Sequence, residues 1–293
     1  MQKKLNKRTI VIVVCLLVIA VVCAVLLGER ISSMQARKVQ SEAKQLMEQG
    51  KKNTASAAKK PAVAMAEDLQ MESETGEEEP EPATEPEVQS DFLPLMSENE
   101  HLVGWLTAGE YIDFPIVQYD NSYYLNHNFF GVSDSNGVPF LDENCDLFPR
   151  DAVLIIHGHN MKSGAIFGRL KRYLDFGYLS KNPVVSFRTI YDEGDVYYTP
   201  IAAFNISSYG KDDHYFDVKH VNFDSNEDFQ SYLDEITERS AWEAKTDAVP
   251  GDRLLILVTC SSIYKNGRLL LVCRELREGE SPESISHLYS IHE

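Results

Sequence analysis

Apolar positions fall into three regimes along the chain. Residues 10–27, IVIVVCLLVIAVVCAVLL, are unbroken by any charge. At about 1.5 Å per residue such a run spans roughly 27 Å, enough for a bilayer core. Lys3, Lys4, Lys7 and Arg8 precede it, and Glu29 and Arg30 follow. The positive-inside rule therefore predicts a cytoplasmic tail at 1–8, a single-pass anchor at 9–28 and the remainder outside the cell. A cleaved signal peptide would need a shorter apolar core and a small-x-small site, which Val25-Leu26-Leu27 does not supply. Residues 29–50 are helix formers and predict a stalk that prolongs the anchor. After Pro94 the pattern changes to short runs bounded by turn residues: YIDFPIVQ, GVPFLDE, AVLIIH, VVSFRTI, DVYYTPIAAFNI, RLLILVTC and RLLLVCREL. Asn136-Gly137 and Asn266-Gly267 read as hairpin turns. Ser97-Glu-Asn-Glu100 reads as a capping box opening a short helix through Trp105, and a second helical patch covers 164–174. A third helix begins at Ser225, with Phe229, Leu233 and Ile236 on one face. Many short strands with few helices predict a mostly β domain over 92–293, closed or nearly closed as a barrel.

Charge alters this picture little. The formal net charge is −17, but eleven acidic side chains and no basic one lie between Glu67 and Asp91. That stretch is rich in Glu and Pro and too poor in apolar residues to fold, so 51–91 reads as a linker that extends the reach of the stalk. No basic cluster lies beyond the apolar run, which argues against nucleic acid as a partner.

The candidate chemistry sits at two strand ends. HGHNM, residues 157–161, follows one apolar run, and Cys260 closes another. A metal site could draw on His157, His159 and Cys260, but no metal-binding spacing supports one, and no cofactor or metal is expected. A thiol nucleophile needs a base and a group that stabilises an oxyanion. Cys260 at a strand rim and Arg268 opening the next strand after SSIYKNG would be returned to one neighbourhood by a hairpin. A half-buried cysteine beside a surface arginine fits the same pattern. Alternation places Cys273 on the face of its strand opposite Arg268, which argues against a Cys260–Cys273 disulfide and for a core residue. Cys145 falls in a polar loop that could pair with neither.

GHNM after a strand, TC closing a later one and arginine opening the next resemble the sortases, the thiol transpeptidases of Gram-positive surfaces. The resemblance is closest to class B and extends through VGWL (103–106), FPIVQYDNSYYLNHNFFG (114–131), GVPFLDE (137–143) and IIHGHNMKSGAIFGRL (155–170). It implies a closed barrel of the sortase type, of about eight strands, with an N-terminal helix and a long helix before the cysteine strand. It implies that Cys260 is the nucleophile, His159 the proton carrier and Arg268 the residue that binds peptide or oxyanion. Asn121 and Leu125 match positions that contact the sorting peptide, and Thr259 stands beside the nucleophile, near an oxyanion site. The implied partners are surface proteins with a C-terminal sorting motif and an amine acceptor such as a peptidoglycan precursor. Two positions depart from the pattern. His157 stands where tyrosine is expected, and Val258 where serine is common. Both would face the peptide groove and alter its preference. A thiol protease that only hydrolyses and a non-catalytic surface binding module are the rival readings.

Overall fold

The computed structural model describes residues 7–57 and 86–290. The expectations for the tail before Lys7 and for most of the acidic linker lie outside the described residues.

Helix α1 runs unbroken over Lys7–Ala57. Its apolar stretch from Ile10 to Leu27 is exposed along its length. The part beyond it does not stand free as a stalk but packs along the barrel. Ala36, Ala43 and Met47 recur on one helical face and are buried. Gln40 Nε2 donates to the Asp113 carbonyl at 2.9 Å, and Lys44 pairs with the Asp113 carboxylate. A Cβ on Gly50 would lie 1.9 Å from the Asp91 carbonyl oxygen, so glycine is required where the helix touches the returning chain.

Helix α2 is a single turn, Leu93–Met96. The expected helix from Ser97 to Trp105 is not formed. Ser97 is the C-cap of α2, its Oγ donating to the Pro94 carbonyl at 2.7 Å. Leu102–Ala108 is instead strand β1. Propensity yields here to packing: Leu102, Leu106 and Ala108 are buried, and β1 is flanked on both sides by strands.

The remaining strands are β2 (Ile112–Val117), β3 (Phe140–Leu141), β4 (Val153–His157), β5 (Val185–Thr189), β6 (Tyr197–Ser207), β7 (Leu254–Cys260) and β8 (Gly267–Glu275). They close a barrel in the order β1-β2-β3-β4-β7-β8-β6-β5. This is the mostly β barrel that the alternation predicts. Asn136-Gly137 does not turn a hairpin, because β2 and β3 pair in parallel and are joined by a long connection. Gly137 has φ +62, and a Cβ there would meet the Tyr124 carbonyl oxygen at 2.3 Å. Asn266-Gly267 does end the antiparallel β7–β8 connection, with Asn266 in the left-handed region. The expected helix over 164–174 reduces to a 3-10 turn at Leu170–Leu174, followed by α3 at Phe176–Lys181. Helix α4, Asn226–Arg239, precedes β7 as expected and is capped by Ser225, whose side chain accepts from the Asp228 N–H. Helix α5, Pro282–Ser290, follows the last strand.

The core fills the barrel with Leu106, Ile155, Phe187, Leu255, Leu257 and Leu271 among others. A second cluster joins α1, α2 and the 123–140 connection to the barrel through Phe92, Leu95, Trp105 and Phe129.

Candidate active site

Two parallel neighbours, β4 and β7, build the site. His157 is in register with Val258, and every β7 residue before Cys260 is buried. A strand covered on both faces reads as a continuous apolar run, as LLILV does. Cys260 is the exposed exception, at the rim where β7 ends. Across the antiparallel β7–β8 ladder its partner in register is Arg268. Arg268 Nη1 donates to the carbonyls of Asn266 at 3.3 Å and Gly267 at 3.0 Å, which fixes the guanidinium at the turn.

The β4–β7 pairing continues past the end of β4. Gly158 N–H donates to the Val258 carbonyl at 3.0 Å, and Thr259 Oγ1 donates to the Gly158 carbonyl at 2.7 Å. Asn160 Nδ2 donates to the Cys260 carbonyl at 2.7 Å. His159 lies between these ties and so is brought to the end of the cysteine strand. Glycine separates the two histidines because a Cβ at 158 would lie 2.6 Å from the Phe167 ring. His159 Nε2 is 2.8 Å from the Leu125 carbonyl oxygen. A carbonyl only accepts, so Nε2 carries the hydrogen, and in the neutral ring Nδ1 is the basic atom.

His159, Cys260 and Arg268 line one cleft of about 420 Å³ together with Asn121, Leu125, His157, Val258 and Thr259. All eight residues singled out in the sequence therefore meet in one place. Leu125 ends the 3-10 turn Tyr123–Leu125, and Asn121 is held by a reciprocal pair of bonds with Glu143. The Thr259 hydroxyl is engaged by Gly158 and its side chain is buried, so its contact with the site is through its position in β7. The cleft is also lined by Tyr215–Lys219 in the β6–α4 connection, a stretch that carries no motif in the sequence.

Two further residues of the site lie outside these eight. Asn160 is one. The other is Asp142, at the end of β3, whose Oδ2 lies 2.8 Å from His157 Nε2. Burial pushes the Asp142 carboxyl up, but hydrogen bonds from His157 and from the backbone and side chain of Asn144 outweigh it and hold the group well below the usual carboxylate range. Asp142 is therefore an anion in the cleft wall, and His157 must present Nε2–H to it. The other cysteines of the domain, Cys145 and Cys273, are buried. Burial pushes the Cys145 thiol up to about 12 and Cys273 higher still, and all the described cysteines are free thiols.

No protein-family profile matches the chain. It is 33% identical over 190 residues to a Listeria monocytogenes protein named Sortase B, an alignment covering 63% of this chain and 74% of that one. It is 24% identical over 194 residues to Sortase B of Staphylococcus aureus, covering 65% and 76%. Sortase B of Bacillus anthracis, solved in complex with AAEK2, superposes with a TM-score of 0.64 at 25% identity, covering 84% of this chain and 97% of that one.

Proposed function

The chain belongs to the class B sortases, and from that premise we propose that Cys260, His159 and Arg268 carry a cysteine transpeptidation on C-terminal sorting motifs. The observation that supports this assignment is the register pair Cys260–Arg268 at the rim of one cleft with His159. The Cys260 thiolate attacks the carbonyl carbon of the motif's Thr. The negative charge building on that oxygen is met by Arg268. The tetrahedral adduct collapses to a thioester, and the leaving amine takes a proton from His159. An amine acceptor, such as one on a peptidoglycan precursor, then attacks the thioester. His159 takes its proton, and Cys260 leaves as the thiolate. Asn121, Leu125, His157 and Val258 form the wall along which the peptide lies, and Thr259 holds the end of the cysteine strand in place. The apolar stretch of α1 anchors the enzyme in the membrane with its N-terminus in the cytoplasm and the domain from residue 92 outside.

The test uses the full chain with peptides of the LPxTG, NPxTN and SPxTG types, with and without glycine-based and diaminopimelate-like amines. Mass spectrometry reads cleaved peptide, an adduct on Cys260 and amide product. Cleavage after Thr with transfer is expected. Cleavage without transfer to any amine favours the hydrolase, and no adduct from folded protein favours the binding module.

A further inference from the structure

Helix α1 joins the apolar stretch to the barrel in one rod. The stretch ends at Leu27, and Ser32 hydrogen-bonds to the β2–β3 connection. Its Oγ donates to Asn136 Oδ1 at 2.9 Å, and its carbonyl accepts from Asn136 Nδ2 at 3.1 Å. The five intervening steps of helix rise only about 7.5 Å. The contacts run on through Gln40 and Gly50 to Thr54, whose Oγ1 lies 2.9 Å from Ser90 Oγ. That point is about 33 Å farther along the rod than Ser32. Thr54 and Ser90, on either side of the acidic segment, thus stand together at the far end of the docked helix, so the length of chain between them adds nothing to the separation between the apolar stretch and the barrel.

The end of the barrel nearest the apolar stretch is the one that carries the cleft's loops. Gly137, next to Asn136, packs against the carbonyls of Tyr124 and Leu125. Ser33, Ala36 and Arg37 share a surface gap with Ser163, Gly164 and Arg169, in the loop that follows His159. Although the chain is acidic overall, this end exposes four cations, Arg30, Arg37, Lys162 and Arg169, against two acids, Glu29 and Glu110, and Val132 is 57% exposed in the connection that carries Asn136. Cations with an apolar tip next to a bilayer span are what anionic lipid headgroups attract.

We propose that loops 128–136 and 161–169 rest on an anionic lipid surface, so that α1 holds the cleft at headgroup level; this rests on the reading of 10–27 as a membrane anchor. The enzyme then acts on peptide presented at the membrane itself rather than at a distance set by the acidic segment.

The test places an environment-sensitive fluorescent amino acid in turn at positions 22, 132, 162 and 195 of the full chain. Each variant is reconstituted in vesicles of phosphatidylglycerol and phosphatidylcholine. Asp195 is the control, exposed beside the far part of the docked helix. Headgroup nitroxide lipids are expected to quench the probes at 132 and 162 strongly and the probe at 195 at background level, while acyl-chain nitroxides quench position 22. Quenching at 22 with background quenching at 132 and 162 overturns the lipid contact alone. No quenching at 22 overturns the anchor and the contact with it. Ala43→Glu, which puts a charge into the helix–barrel seam, is expected to remove most of the quenching at 132; unchanged quenching overturns the role assigned to α1.

Discussion

His157 Nε2 and Asp142 Oδ2 lie 2.8 Å apart in the wall of the cleft, a buried carboxylate holding an imidazole on the proposed peptide path. Replacing Asp142 with Asn keeps the shape but removes the charge that fixes the ring's hydrogen on Nε2. The expected result is a several-fold rise in KM for the sorting peptide with kcat little changed, since neither residue reaches the reacting bond in the proposed chemistry. A loss confined to kcat would move the pair from the binding wall into the reaction itself.

The same substitution has a pH signature. The folded state holds the Asp142 carboxyl below its ordinary range, so it gains stability from the ionised form at neutral pH. That gain fades as the pH falls below about 4 and the unfolded chain's carboxyl takes up its proton. The deficit of Asp142→Asn, about 2 kcal/mol for a charged buried hydrogen bond, is expected to be largest near neutrality and to shrink on acidification. Thermal unfolding of both proteins across pH measures it. A deficit that grows in acid would refute the assignment.

Cys260→Ala is expected to abolish the adduct. His159→Ala is expected to lower kcat/KM by about 10²–10⁴, and Arg268→Ala by about 10²–10³. All three side chains stand at the cleft rim, so the midpoint of unfolding should move little. Full activity in any one of them removes that residue from the mechanism.

Asn160→Ala removes the bond to the Cys260 carbonyl that ties the two strand ends together. A cost of about 1 kcal/mol in stability is expected, together with slower adduct formation read by quenched-flow mass spectrometry. Unchanged acylation would show that Gly158 and Thr259 alone hold the ends in place.

Gly158→Ala forces a methyl group against the Phe167 ring. Overpacking of this kind costs about 1–3 kcal/mol. Gly158→Ala with Phe167→Leu is expected to recover part of the stability and activity. If Gly158→Ala is as stable as the parent protein, the glycine serves some purpose other than space.

The strands β4, β7 and β8 were legible because their signal is local, and so was α4 with its Ser225 cap. The three catalytic candidates lie at the ends of these elements and share that legibility. β1 was misread because Ser97 and Glu100 have the spacing of a helix start, whereas Ser97 closes the turn before it. The parallel β2–β3 pair was missed because an Asn-Gly step marks a tight turn without saying which strands it joins. The docking of α1 rests on Ala36, Ala43 and Met47 with a few polar side chains, all residues favourable in any helix that do not advertise a partner. Asp142 and Asn160 were overlooked for the same reason: their partners stand 15 and 100 residues away.

The parallel β4–β7 seam also bears on how the protein comes to be made. Its two edges are separated by about a hundred residues of chain that must first be gathered into β5, β6 and α4. Closing a loop of that length is slow, because its entropy is lost before the contacts across the seam are gained. β7 pairs with β8 across a short turn, so Cys260 meets Arg268 by local closure, whereas its approach to His159 waits for the longer loop to close. Until the β4–β7 seam closes, Cys260 has Arg268 across the turn and no imidazole beside it.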